Sequence, residues 1–167
     1  MTLPRLVSTV FGIGHLKPAP GTWGSAVAIA VGVAIDQLFG FPALVIATLL
    51  VIPLGYWATT RTVAEAENKD PSEIVIDEVA GQWIALLCPA AEFWWRGTED
   101  WWLVAYPGWV AAFVFFRLFD IWKPGPAGRA DAKGTAAGTM EDDLWAGLFA
   151  GVATILAAGV AHGVLMR

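Results

Sequence analysis

Two long stretches contain no Asp, Glu, Lys or Arg: residues 38–60, and residues 144–166, where His162 is the one titratable side chain. At ~1.5 Å per residue, each is long enough as a helix to cross a hydrocarbon core of ~30 Å. A chain of 167 residues with two such runs has little freedom. Shorter apolar runs at 22–35, 79–91 and 101–116 are marginal for a full crossing. With 57% hydrophobic and only 15% charged residues, the expected fold is all-α: a compact multihelical bundle, membrane-embedded, of about four to five helices. Residues 1–167 are expected to form a single domain. Buried core helices of a soluble all-α domain are the alternative.

The pattern predicts helices near 24–36, 41–66, 77–90, 101–121 and 143–165. "PAPG" at 18–21 breaks the chain, so that Thr22 or Ser25 starts the first helix. "NKDPSE" at 68–73 marks a second break, and the Pro- and Gly-rich "KPGPAGRADAKG" at 123–134 reads as a long functional loop. The segment holding Gly12, Gly14, His15 and Lys17 lacks the order of a secretory signal peptide and is expected to remain on the chain. Cys88 is the only cysteine, which excludes an internal disulfide and a thiolate metal site.

Net charge is −5 and no basic stripe is present, so nucleic acid is not an expected partner. If the runs cross in sequence from an N-terminus inside, Arg5, Lys17, Arg61, Lys69, Arg117, Lys123, Arg129 and Lys133 fall inside, against Arg96 and Arg167 outside. That distribution obeys the positive-inside rule. It gathers the acidic pairs, the 117–133 region and the segment near residue 20 at the cytoplasmic interface, and puts Trp94, Trp95, Trp101 and Trp102 at the other.

The acidic pairs are Asp77–Glu78 and Asp142–Asp143, each read as preceding a helix. One acidic residue per helix start would satisfy capping and the helix dipole. Two adjacent acids at both starts call for a cation, and an all-oxygen ligand set points to Mg²⁺. In "FRLFDIWKPGP", Arg117, Asp120 and Lys123 lie three residues apart near one face of a helix ending before Pro124. Arg117 and Lys123 could hold phosphate oxygens, while Asp120 could ligate metal, orient Arg117 or position water. In "FGIGHLKPAPGTWGS", Thr22, Gly24 and Ser25 could offer amides and hydroxyls to an anion, and His15 could carry a proton. Together these residues suit metal-assisted phosphoryl chemistry on a membrane phospholipid. A small membrane cation-transport protein, with the acids forming an ion path, is the alternative of another class.

"GIGHLKPAPGTWGS", "IVIDEVAGQWI" and "FRLFDIWKPGPAGRADAKGTAAGTMEDDLWAG" resemble the three blocks of the phosphatidylglycerophosphatase A family, in the family's order. The resemblance implies a Mg²⁺-dependent phosphatase of the bacterial inner membrane that converts phosphatidylglycerophosphate to phosphatidylglycerol. A phosphatase or phosphotransferase acting on another phospholipid is the neighbouring reading. By the resemblance, Asp77 and Glu78 match the acidic pair of the central block, and Asp142 and Asp143 that of the last. Arg117, Asp120 and Lys123 match the Arg-Phe-Asp-Lys-Pro pattern, and Gly21, Thr22 and Ser25 the Pro-Gly-Thr-x-Gly-Ser turn. Either a metal-activated water or a carboxylate, Asp120 or Asp77, could be the nucleophile. The chain departs from the pattern at Ala136, where glycine is common, and at Thr139, where isoleucine is.

Overall fold

The computed structural model describes residues 2–65, 72–97 and 106–165. Lys69, Trp101, Trp102 and Arg167, and the side chain of His162, lie outside what is described. The described elements are α1 (Leu3–Ser8), a 3₁₀ turn (Ile13–His15), α2 (Pro20–Phe39), α3 (Phe41–Glu65), α4 (Ile76–Trp95), α5 (Tyr106–Trp122), α6 (Pro126–Asp131) and α7 (Ala136–Leu165). The expected all-α multihelical bundle is what forms.

Among the described residues, three helices are long and apolar enough to cross a membrane: α2, α3 and, within α7, Ala136–Ala161. The sequence suggested four to five. The difference has a physical cause. α4 carries Asp77 and Glu78 in its first turn and is the central helix, burying Val79, Ala80, Gln82, Trp83, Ala85 and Leu86 against its neighbours. α5, as described from Tyr106, has Arg117 and Asp120 near its end. In contrast, only 33%, 28% and 28% of the apolar windows of α2, α3 and α7 are buried inside the protein, leaving broad apolar faces that suit lipid.

Helix ends differ from the expected ones for local reasons. α2 starts at Pro20 rather than at Thr22 or Ser25, because proline at the first helical position has a preset φ and lacks only an amide that would be orphaned. Gly40, at φ 82°, ends α2 and turns the chain directly into α3. α7 begins at Ala136, seven residues before the expected 143, capped by Thr135, whose Oγ1 accepts the Gly138 amide at 3.1 Å. Pro126 likewise nucleates α6 inside the segment read as a loop.

The N-terminal turns of α2, α4 and α7 and the C-terminal turn of α5 converge at one end of the bundle. Trp83 Nε1 donates to the Ala28 carbonyl at 2.7 Å, tying α4 to α2 below that end. Trp94 and Trp95 lie exposed at the other end, where the Trp94 ring sits 5.4 Å from that of Phe41.

Candidate active site

The site depends on how closely α4 and α7 cross. A β-carbon on Gly81 would lie 2.5 Å from the Asp143 carbonyl oxygen, and one on Gly147 2.2 Å from the Gly81 carbonyl oxygen. Only glycine permits backbone contact at that range. Ala80 and Ala146, the residues before these glycines, are fully buried. One helical turn toward the N-terminus from each glycine stand Asp77 and Asp143. Ligand oxygens of Asp77, Glu78 and Asp143 therefore all lie within 4.8 Å of one another.

These carboxylates are withdrawn from water, with Asp77 and Asp143 only 4% and 3% exposed. Burial first, and then the charge of Asp77, hold Glu78 well above the ordinary carboxylate range; burial also raises Asp77. Glu78 Oε2 is buried without a hydrogen-bond partner. A carboxylate cluster of this kind, made only of oxygen donors and leaving one acceptor unsatisfied, fits a hard divalent cation such as Mg²⁺. Capping does not account for Asp142 and Asp143: they lie inside α7, not before it, and Thr135 performs that task.

A cavity of about 380 Å³ opens over the cluster. Asp77, Glu78, Asp120, Asp131, Asp142, Asp143, Arg117 and Lys123 line it, together with Ala19 to Thr22 and Thr139. Arg117 Nη1 bonds Asp120 Oδ2 at 2.7 Å and donates to Ser25 Oγ at 3.3 Å, with Glu78 Oε1 at 4.0 Å. The arginine thus links α2, α4 and α5. Lys123 Nζ lies 2.6 Å from Asp142 Oδ2 and 2.5 Å from Asp131 Oδ1. Burial opposes the charge on Lys123, but its bonds to Asp131 and Asp142 prevail and lift it above the ordinary lysine range.

Asp77, Glu78, Asp143, Asp142, Asp120, Arg117, Lys123 and Thr22 are thus brought to one cavity. Asp142 is turned to Lys123, apart from the three clustered carboxylates. Ser25 is buried just behind the lining, donating to the Gly21 carbonyl and accepting from Arg117. Gly24 faces away, its would-be β-carbon 2.9 Å from Val75 Cβ, so its smallness serves packing. His15 is exposed on the 3₁₀ turn and is not part of the lining. Gly21 makes the close approach instead: a β-carbon there would lie 2.2 Å from Glu78 Oε1.

Sequence reasoning missed Asp131, Gly81 and Gly147. The signal for the glycines was present, because "DEVAG" at 77–81 and "DLWAG" at 143–147 share the pattern Asp-x-x-Ala-Gly. Asp131 was hidden in the segment read as a loop, and the short α6 is what delivers it to the cavity.

The model of one protein family, phosphatidylglycerophosphatase A, matches residues 6–158. The chain belongs to the phosphatidylglycerophosphatase A family. The matched region takes in every element that lines the cavity. Phosphatidylglycerophosphatase A of Haemophilus influenzae is 36% identical over 147 residues, covering 87% of this chain and 83% of that one. Phosphatidylglycerophosphatase A of Escherichia coli is 34% identical, covering 86% and 77%. A Bacteroides thetaiotaomicron protein provisionally named phosphatidylinositol-3-phosphatase is 36% identical over 152 residues, 88% of each chain. No solved structure matches the chain significantly. A phosphatidylglycerophosphatase A family member with these three apolar helices is a membrane-associated lipid phosphatase.

Proposed function

We propose that the cavity at the α4–α7 crossing is where this enzyme hydrolyses the terminal phosphate of phosphatidylglycerophosphate, giving phosphatidylglycerol and phosphate, with Mg²⁺ held by Asp77, Glu78 and Asp143. The observation that carries this reading is the three-carboxylate cluster of buried Asp77, buried Asp143 and half-buried Glu78, whose Oε2 is buried without a partner. Charge supports it as well. Six carboxylates and two cationic side chains line the cavity, a formal excess of four negative charges that would repel a phosphate monoester unless divalent cations offset it.

When bound, Mg²⁺ supplies Lewis-acid polarisation of the phosphate and a lowered pKa for an attacking water. The chain's own residues do the rest. Arg117 and Lys123 face the cavity and bind phosphate oxygens, balancing charge as the ester bond breaks. Asp120 orients Arg117 through their 2.7 Å ion pair. Because Asp120 is committed to the arginine, water is favoured over Asp120 as the attacking group. The first turn of α2, at Pro20 to Thr22, adds the positive end of a helix dipole to the anion site. The acyl tails stay in the bilayer, and the headgroup enters from the cytoplasmic face, the side favoured by Arg5, Lys17, Arg61, Arg129 and Lys133 around the site end.

The test is phosphate release in detergent micelles, with and without Mg²⁺, from phosphatidylglycerophosphate and from phosphatidylinositol 3-phosphate. Wild type should release phosphate from the former only with Mg²⁺, and D77A and D143A should not. Preference for the inositol lipid would reassign the substrate. Release independent of both metal and aspartates would sink the proposal.

A further inference from the structure

Lys123 occupies an unusual position. It follows the last turn of α5 with φ at 50°, a left-handed conformation uncommon for a lysine, and its amide donates to the Phe119 carbonyl at 2.7 Å. Its long stem lets the ammonium adopt many positions, yet here it bridges two carboxylates. Asp142 is the buried partner, its side chain 6% exposed; Asp131, at 53%, closes the pair from the solvent side.

Asp131 is held firmly at that place. A β-carbon on Gly128 would lie 2.6 Å from the Lys123 carbonyl oxygen, and one on Gly138 2.5 Å from the Ala130 carbonyl oxygen, so α6 is packed backbone to backbone against both the end of α5 and the start of α7. Ala127 and Ala130 are buried beneath it. So much fixed packing is more than an exposed ion pair would need on stability grounds, since such pairs contribute little.

We propose that Asp131 is a positioning residue of the phosphatase reaction: it clamps the Lys123 ammonium against Asp142 at the cavity rim, so that the phosphate meets a lysine already aimed. The role of Asp131 rests on the phosphatase reading, but the clamp itself has a readout that does not.

Wild type, D131N, D131E, K123A and the double variant D131N/K123A are compared for kcat/KM, thermal stability and the acetylation rate of Lys123, with exposed Lys17 as internal reference. D131N should lose about tenfold or more in kcat/KM, the scale expected when a binding group is misplaced, with an unchanged melting temperature. D131E should recover most of that loss. D131N should have no further effect in the K123A background, and Lys123 acetylation should accelerate relative to Lys17 in D131N. A kcat/KM for D131N within about twofold of wild type, the range of neutral surface changes, overturns the proposal, as does a loss equally large in the K123A background. If wild type shows no phosphatase activity, faster Lys123 acetylation in D131N retains the clamp while the phosphatase reading fails; an unchanged rate overturns the clamp too.

Discussion

Gly147 rests its bare α-carbon against the Gly81 carbonyl so closely that an added methyl group would lie 2.2 Å from the oxygen. This contact sets the separation of α4 and α7, and through it the spacing of Asp77, Glu78 and Asp143. The geometry of the proposed metal site therefore originates in two residues that carry no functional group. G147A should force the helices apart, lowering stability by roughly 1–3 kcal/mol, as overpacking does, and lowering activity more than that loss explains. Gly159 is the control on the same helix, because a β-carbon there meets open space. G159A should leave phosphate release unchanged and should not lower the melting temperature, since alanine favours a helix over glycine.

Three carboxylates at close range, two of them buried, repel one another. D143N should therefore raise the melting temperature measured in EDTA. In wild type, saturating Mg²⁺ at ~100 times its dissociation constant should add about 2.7 kcal/mol of stability. D143N should lose that increment, so that thermal scans with and without the ion coincide.

Arg117 holds Asp120 and Ser25 together while facing the cavity. A lysine cannot keep that forked geometry, so R117K should impair phosphate release severely, with the Mg²⁺-induced thermal shift retained. S25A removes one acceptor and should lower kcat/KM about fivefold, corresponding to a hydrogen bond worth ~1 kcal/mol. Steady-state kinetics on the two variants tests the ranking.

His15 sits exposed and apart from the cavity lining. H15A should keep kcat/KM within about twofold of wild type, as for most surface changes. A large loss would require the N-terminal turn to close over the substrate.

If water attacks directly, no phosphoryl group is ever bonded to the protein, and a single turnover quenched in acid and reduced with borohydride should leave the Asp77 and Asp120 peptides unmodified by mass spectrometry. An aspartate in either peptide reduced to homoserine would instead indicate a phosphoaspartyl route, in which the carboxylate displaces the alcohol and water then displaces the carboxylate from phosphorus.

The two long apolar runs gave away α3 and α7, because bilayer thickness is a strong constraint on length; the run at 22–35 read as marginal, yet it belongs to α2, which is long and apolar enough to cross. The sites where reading failed share a cause: local signals were outweighed by tertiary contacts. Asp142 and Asp143 resembled a helix start, yet Thr135 caps α7 and leaves both acids nearly two turns inside it. Prolines and glycines at 123–134 suggested a loop, whereas Pro126 opens α6 and Gly128 serves close packing. Membership of the acidic pairs in one site was legible, since unpaired acids are rare beside apolar runs. Their partition was not, because Asp142 pairs with Lys123 while Asp143 joins Asp77 and Glu78, and only the helix crossing determines which is which.

On the proposed reading, phosphate release depends on a divalent ion held by the Asp77–Glu78–Asp143 cluster. Mn²⁺ binding followed by electron paramagnetic resonance, on the same micellar samples assayed for phosphate release, tests it most directly. Wild type should bind Mn²⁺ in competition with Mg²⁺, and D143N should lose tight binding and activity together. A D143N protein that binds Mn²⁺ as wild type does, or that releases phosphate at the wild-type rate, would place the ion outside this cluster.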